Sequence, residues 1–148
     1  MKTTKLDLRI ASIILSVVGL ADSIYLAVMK LTGNRQMCLE GLGDCWTVNT
    51  SRYASLFGIP ISLLGAGAYL LILALLLLEH RSGRFHLLSP VVIFGLTLTG
   101  LVYSIYLTYL EVAVLKAICP FCVLSAVVML LLFGIAIARL TQIQAEII

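Results

Sequence analysis

The sequence predicts an all-α membrane protein: a four-transmembrane-helix bundle with a long outer loop between the first and second helices. Three observations lead there. Of 148 residues, 61% are hydrophobic and 11% charged, with a mean hydropathy of +1.13. A soluble domain carries about 25% charged residues, and no soluble fold of this size could hide so much apolar surface. Four apolar runs each approach the roughly 20 residues that cross about 30 Å of hydrocarbon. One long connection, about 31–57, separates the first two of them.

The first span is expected at about 10–30, after the basic residues Lys2, Lys5 and Arg9. Its apolar run is too long for a signal-peptide core of roughly 7–15 residues, and no small-x-small cleavage site follows, so it reads as a retained helix. Asp22 is an ionisable group inside it, and such groups are functional candidates by default. The loop over 31–57 opens on a turn, with Gly33 and Asn34 suited to positive φ. Its second half, Val48 to Phe57, is amphipathic and is expected to form a short interfacial helix. The second span, about 58–79, is uncharged up to Glu79, the third, about 87–110, carries no charge, and the fourth, about 117–139, is uncharged up to Arg139. Each must be helical, because an isolated strand leaves its backbone unsatisfied in lipid. The whole chain, 1–148, then reads as one integral membrane domain without internal repeats.

Lysine and arginine counts orient the bundle. Lys2, Lys5, Arg9, Arg81, Arg84 and Arg139 share one side; Lys30, Arg35, Arg52 and Lys116 share the other. The richer side is expected in the cytoplasm with both termini, in a cell (inner or plasma) membrane. The long loop and the 111–116 connection then face outward. A net charge of +3 from scattered residues gives no footprint for nucleic acid.

Four cysteines fall as two pairs on that outer side. Cys119-Pro120-Phe121-Cys122 opens the fourth span. Proline is tolerated at a first helical position, and the positive helix N-terminus favours a thiolate, the reacting species. Two sulfurs three residues apart can share a helix face. Lys116, three residues earlier, is a second candidate for tuning Cys119. Cys38 and Cys45 lie in the long loop. A loop pair can meet a soluble partner and fold back onto a pair touching the membrane, which suits a thiol–disulfide relay to a lipid-soluble acceptor. Two static disulfides, 38–45 and 119–122, and a tetrahedral zinc site are the other readings of four cysteines. A C-x-x-C bridge closes so small a loop that it staples almost nothing, which argues for reactivity. C-x6-C is no usual zinc spacing, so no metal is expected.

Asp44-Cys45, Ser51-Arg52-Tyr53, Leu56-Phe57-Gly58-Ile59-Pro60, Tyr109-Leu110-Glu111 and Ile118-Cys119-Pro120-Phe121-Cys122 together resemble the prokaryotic branch of the vitamin K epoxide reductase family, over essentially the whole chain. The resemblance implies a bundle around a quinone, ubiquinone or menaquinone, as electron acceptor. It implies that Cys38 and Cys45 are the loop pair and Cys119 and Cys122 the quinone-side pair, with Ser51 matching a family serine. A reduced thioredoxin-fold partner would attack at Cys38. Cys45 would then attack Cys119 through a transient bridge, leaving Cys122 to reduce the quinone. Vertebrate members carry an Asn and a Tyr against the substrate; Ala54 and Ala126 stand there instead, so quinone reduction is expected rather than epoxide reduction. Many bacterial members continue into a fused thioredoxin-like domain. The chain ends at Ile148, so a separate DsbA-like partner is expected. DsbB-type proteins also hold two pairs, but with the C-x-x-C in the earlier loop.

Candidates to line the quinone site are Phe57, Tyr103, Tyr106, Phe121 and Asp22. For Tyr103, Tyr106 and Tyr109 an interfacial aromatic belt is the competing reading. Gly65, Gly67, Gly95 and Gly100 are read as close helix-packing positions. The alternative function is a small membrane transporter or channel with structural disulfides, for which size and helix count speak.

Overall fold

The computed structural model describes residues 2–33, 45–81 and 83–148. Helix α1 spans Lys2–Thr32, α2 Cys45–Thr50, α3 Ile61–Leu78, α4 Gly83–Leu110 and α5 Pro120–Ile147. Four of these, α1, α3, α4 and α5, are long and apolar enough to cross a membrane. They close into a ring in which α1 packs on α3 and α5, and α4 on α5 and α3. The predicted four-helix architecture is therefore observed.

Along α1 small and polar side chains face inward and several apolar ones outward. In α1 the inward stripe is Ser12, Ser16, Gly19 and Ser23, while Ile14, Val17, Val18 and Ile24 are exposed. Small residues let membrane helices approach closely. Their hydroxyls are satisfied locally: Ser12 Oγ donates to the Leu8 carbonyl (2.9 Å) and Ser16 Oγ to that of Ser12 (2.7 Å). A Cβ on Gly19 would lie 2.3 Å from the Tyr69 ring, so the glycine makes room for it. Gly65 and Gly100 likewise sit against Ser23 and Met129, whereas Gly67 and Gly95 meet nothing within 4 Å and are not packing positions.

Three clusters fill the ring along its length. Leu26, Met29, Val48 and Cys119 form one end; Tyr69, Val128, Met129 and Leu132 the middle; Ile72, Leu76, Ile93 and Ala136 the other end. At this last end Glu79 and Arg139 form a buried ion pair (2.5 Å). Arg9 caps α3 by donating to the Leu76 carbonyl (2.8 Å).

At the first end the chain departs from the expected single interfacial helix over 48–57. The helix α2 is only six residues, Cys45–Thr50, followed by a 3₁₀ turn at Arg52–Ala54. A two-stranded hairpin follows, β1 Ser55–Leu56 against β2 Ile59–Pro60. Its turn residues Phe57 and Gly58 have φ 52° and 81°, the twist that suits a two-residue hairpin. Pro60 then ends any possibility of one continuous helix by fixing the chain before α3. Two side chains pin this end: Asn49 Nδ2 donates to the Leu26 carbonyl (2.9 Å), and Lys30 Nζ to the Ala54 carbonyl (3.1 Å) and Ser55 Oγ (2.7 Å). Gly33, at φ 65°, ends α1; the rest of the predicted turn, from Asn34, lies outside the described residues. The 111–116 connection is a π-helical continuation of α4, Glu111–Leu115, rather than a loop.

Candidate functional site

Cys119 is the N-cap of α5, with extended backbone, and Pro120 holds its first helical position, as the spacing predicts. Cys119 is fully buried and packs with Val48 of α2 and with Leu26 and Met29 of α1. One turn into the helix, Cys122 packs against the same cluster and also lines a cavity between the helices, which Cys119 does not line. Within one C-x-x-C, the second cysteine thus reaches the cavity and the first stays in the packed cluster.

The cavity encloses about 370 Å³ and is walled mainly by apolar side chains such as Leu26, Ile61, Leu64, Leu107 and Met129. That volume falls within the roughly 300–1,000 Å³ of small-molecule sites. The cavity's polar side chains include Ser51, Tyr53, Ser62, Tyr103 and Glu111. Ser62 Oγ is buried and has no hydrogen-bond partner among the described residues. Tyr69 closes the inner wall with its hydroxyl 2.9 Å from Ser125 Oγ.

Glu111 is the residue that sequence reasoning passed over. It begins the π-helical turn and is 2% exposed. Lys116, at φ 51°, ends that turn and reverses the chain. The Glu111 carbonyl then accepts the Ala117 N–H (3.0 Å), and its carboxylate accepts the Cys119 N–H (3.2 Å). The same residue lines the cavity that Cys122 lines. A π-turn inside a helix commonly marks a functional site; here the carboxylate of its first residue meets the C-x-x-C backbone at Cys119. The available signal was a lone Glu after an uncharged span, eight residues before the C-x-x-C.

The other sequence candidates are distributed as follows. Tyr103 lines the cavity; Tyr106 is its neighbour, ring centroids 6.0 Å apart, but is half exposed and outside the lining. Phe121 packs against Tyr25, ring centroids 4.9 Å apart and tilted by 40°, and is also outside the lining. Phe57 sits at the hairpin tip, 96% exposed, away from the cavity. Asp22 is buried behind the cavity wall, both carboxylate oxygens without a partner among the described residues. Ser51 Oγ donates to the Val48 carbonyl (2.8 Å), tightening the end of α2. Lys116 is exposed. Ala54 lines the cavity, while Ala126 does not. Cys38 lies outside the described residues, and of Cys45 only the backbone is described, at the start of α2. No group of three or more metal-ligating side chains is found among the described residues.

A family model described as the vitamin K epoxide reductase family matches residues 10–137. The thiol-disulfide oxidoreductase LTO1 of Arabidopsis thaliana is 30% identical over 136 residues, covering 83% of this chain and 35% of that protein. The chain therefore spans about a third of the length of that curated relative. Four apolar spans, a C-x-x-C opening the last of them onto an intramembrane cavity, and a match reaching into every span have one reading: this multi-pass membrane protein belongs to the vitamin K epoxide reductase family.

Proposed function

We propose that this protein is a membrane thiol oxidoreductase that carries electrons from a reduced dithiol partner through two cysteine pairs to a membrane quinone, thereby supporting disulfide formation. The observation that carries the reading is the division within the C-x-x-C. Cys119 packs under α2, the helix that Cys45 begins, and Cys122 lines an apolar cavity. A sulfur on each side lets one pair accept electrons from the loop and release them into the membrane.

The residues present fit a quinone. Leu64, Leu107 and Met129 suit an apolar ring, and the Ser62 hydroxyl, without a partner among the described residues, suits a carbonyl oxygen. When bound, the quinone supplies a two-electron, two-proton sink. The partner dithiol, of the thioredoxin-fold DsbA type, reduces a Cys38–Cys45 disulfide by attack at Cys38 and is itself oxidised. The Cys45 thiolate attacks Cys119 of a Cys119–Cys122 disulfide, releasing Cys122. Cys38 resolves that mixed disulfide, restoring 38–45 and leaving Cys119 and Cys122 as a dithiol. Their reoxidation to a disulfide delivers the electron pair. Exchange at each step requires a thiolate in line with the attacked sulfur. The thiol end faces outward, away from the cytoplasm, where disulfides persist.

Purified protein should convert quinone to quinol in the presence of a reduced thioredoxin-fold protein. Single Cys→Ser changes at 38, 45, 119 and 122 should each reduce turnover to background, and thiol trapping should capture a 45–119 species. Full turnover in Cys119→Ser would sink the relay.

A further inference from the structure

A buried carboxylate in a bilayer needs a reason. Glu111 is 2% exposed, and among the described residues no lysine or arginine lies within ion-pair distance of it. Its carboxylate accepts the Cys119 N–H (3.2 Å). It also lines the cavity that Cys122 lines. One carboxylate therefore holds the backbone of the C-x-x-C and shares a cavity with its second thiol. The π-turn that directs it there, and the left-handed Lys116 that closes the turn, are both conformations a plain α-helix would avoid.

We infer that Glu111 is a catalytic residue: the proton acceptor of the Cys122 thiol and the donor that returns that proton across the cavity. This rests on the relay proposed above. The step balances. Cys122 gives its proton to the Glu111 carboxylate; the S–S bond to Cys119 forms, and two electrons leave the sulfurs for the quinone. The quinone becomes quinol by taking the proton held on Glu111 and the one lost from Cys119. Glu111 returns to the carboxylate and the cysteines are oxidised. No further oxidant or reductant is needed.

The other titratable groups near Cys122 are Cys119 of the same motif and Asp22 from α1, with Tyr53, Tyr69 of α3 and Tyr103 of α4 on the same cavity. Asp22 has no hydrogen-bond partner among the described residues and does not line the cavity, and Tyr69 is engaged with Ser125. Glu111 is the carboxylate that both lines the cavity and binds the C-x-x-C backbone.

The test combines Glu111→Gln with Glu111→Asp. The glutamine keeps an acceptor for the Cys119 N–H, so the fold is retained, but it takes no proton. In reduced, quinone-free protein in detergent, alkylation of Cys122 by N-ethylmaleimide is followed across pH by peptide mapping. With Glu111 ionised and able to take the thiol proton internally, the thiolate fraction does not change with pH, so wild type should show a flat stretch. In Glu111→Gln the proton must leave to water, and the rate should rise about tenfold per pH unit throughout, as thiolate population dictates. Turnover with a short-chain quinone should fall about 10²–10⁴-fold, the usual worth of a positioned acid–base group, with Glu111→Asp in between. Identical alkylation profiles in wild type and Glu111→Gln overturn the inference. So does quinone turnover in Glu111→Gln equal to wild type. A wild type that passes no electrons to any quinone refutes the relay instead, and the alkylation profile still decides the role of Glu111.

Discussion

The two ends of the bundle each bury a glutamate, and they treat it in opposite ways. At the thiol-free end, Glu79 at the end of α3 is held by Arg139 of α5, with both oxygens within 2.6 Å of one guanidinium nitrogen. Beside it Arg9 covers the Leu76 carbonyl, and Lys5 pairs with Glu146. Charges there are answered by charges, and carbonyls at a helix end by donors. At the thiol end, Glu111 and Asp22 have no cation at ion-pair distance among the described residues, and Ser62 keeps an unused hydroxyl. A buried polar group left unanswered costs stability. The contrast separates a carboxylate kept to join helices from one kept to handle a proton.

That contrast can be broken by measurement. The largest effect on stability belongs to the paired end. Arg139→Leu leaves Glu79 buried without its countercharge, and should destabilise the protein by about 3–5 kcal/mol. Glu79→Leu combined with Arg139→Leu should recover most of that loss, read from thermal unfolding in detergent. Both variants should keep wild-type turnover per folded molecule. If the double change removed activity, the paired end would be part of the chemistry and the distinction would fail.

The middle of the bundle gives a smaller effect. Gly19→Ala drives a methyl into the Tyr69 ring, and overpacking of this kind costs about 1–3 kcal/mol. Gly19→Ala with Tyr69→Leu should regain that stability. A Gly19→Ala protein as stable as wild type would show that the two helices slide apart freely at Tyr69. The smallest effect sharpens the thiol end. Ser62→Ala removes a hydroxyl that has no hydrogen-bond partner among the described residues, so stability should not fall. If that hydroxyl meets the acceptor, KM for quinone should rise by about the worth of one hydrogen bond, ~1 kcal/mol or roughly fivefold, with kcat unchanged. Unchanged KM would remove Ser62 from the site.

Sequence legibility followed the same division. The spans were readable because lipid demands long uncharged runs, and α3 is such a run from Ile61 to Leu78. Cys119 with Pro120 was readable as a helix start because proline's missing N–H is harmless there. The segment around α2 was not readable, because Val48–Phe57 carries an amphipathic pattern compatible with a helix. A positive-φ turn at Phe57-Gly58 and Pro60 make it a hairpin instead. Phe57 and Phe121 are large and apolar in the sequence, yet one points away at a hairpin tip and the other spends its ring on Tyr25.

What the sequence by itself determined is the solvent, the number of helices, and the position of a reactive pair at a helix start. Hydropathy and proline chemistry are local properties, so residues in a row are enough to specify them. Only the tertiary structure decided that Cys122 but not Cys119 lines the cavity, that Ser62 and Tyr103 share it, and that Glu111 reaches the C-x-x-C backbone. Those relations depend on how α1, α3, α4 and α5 meet and on a π-turn that reorients one side chain. No spacing along the chain encodes them, because the contacts join residues from separate helices.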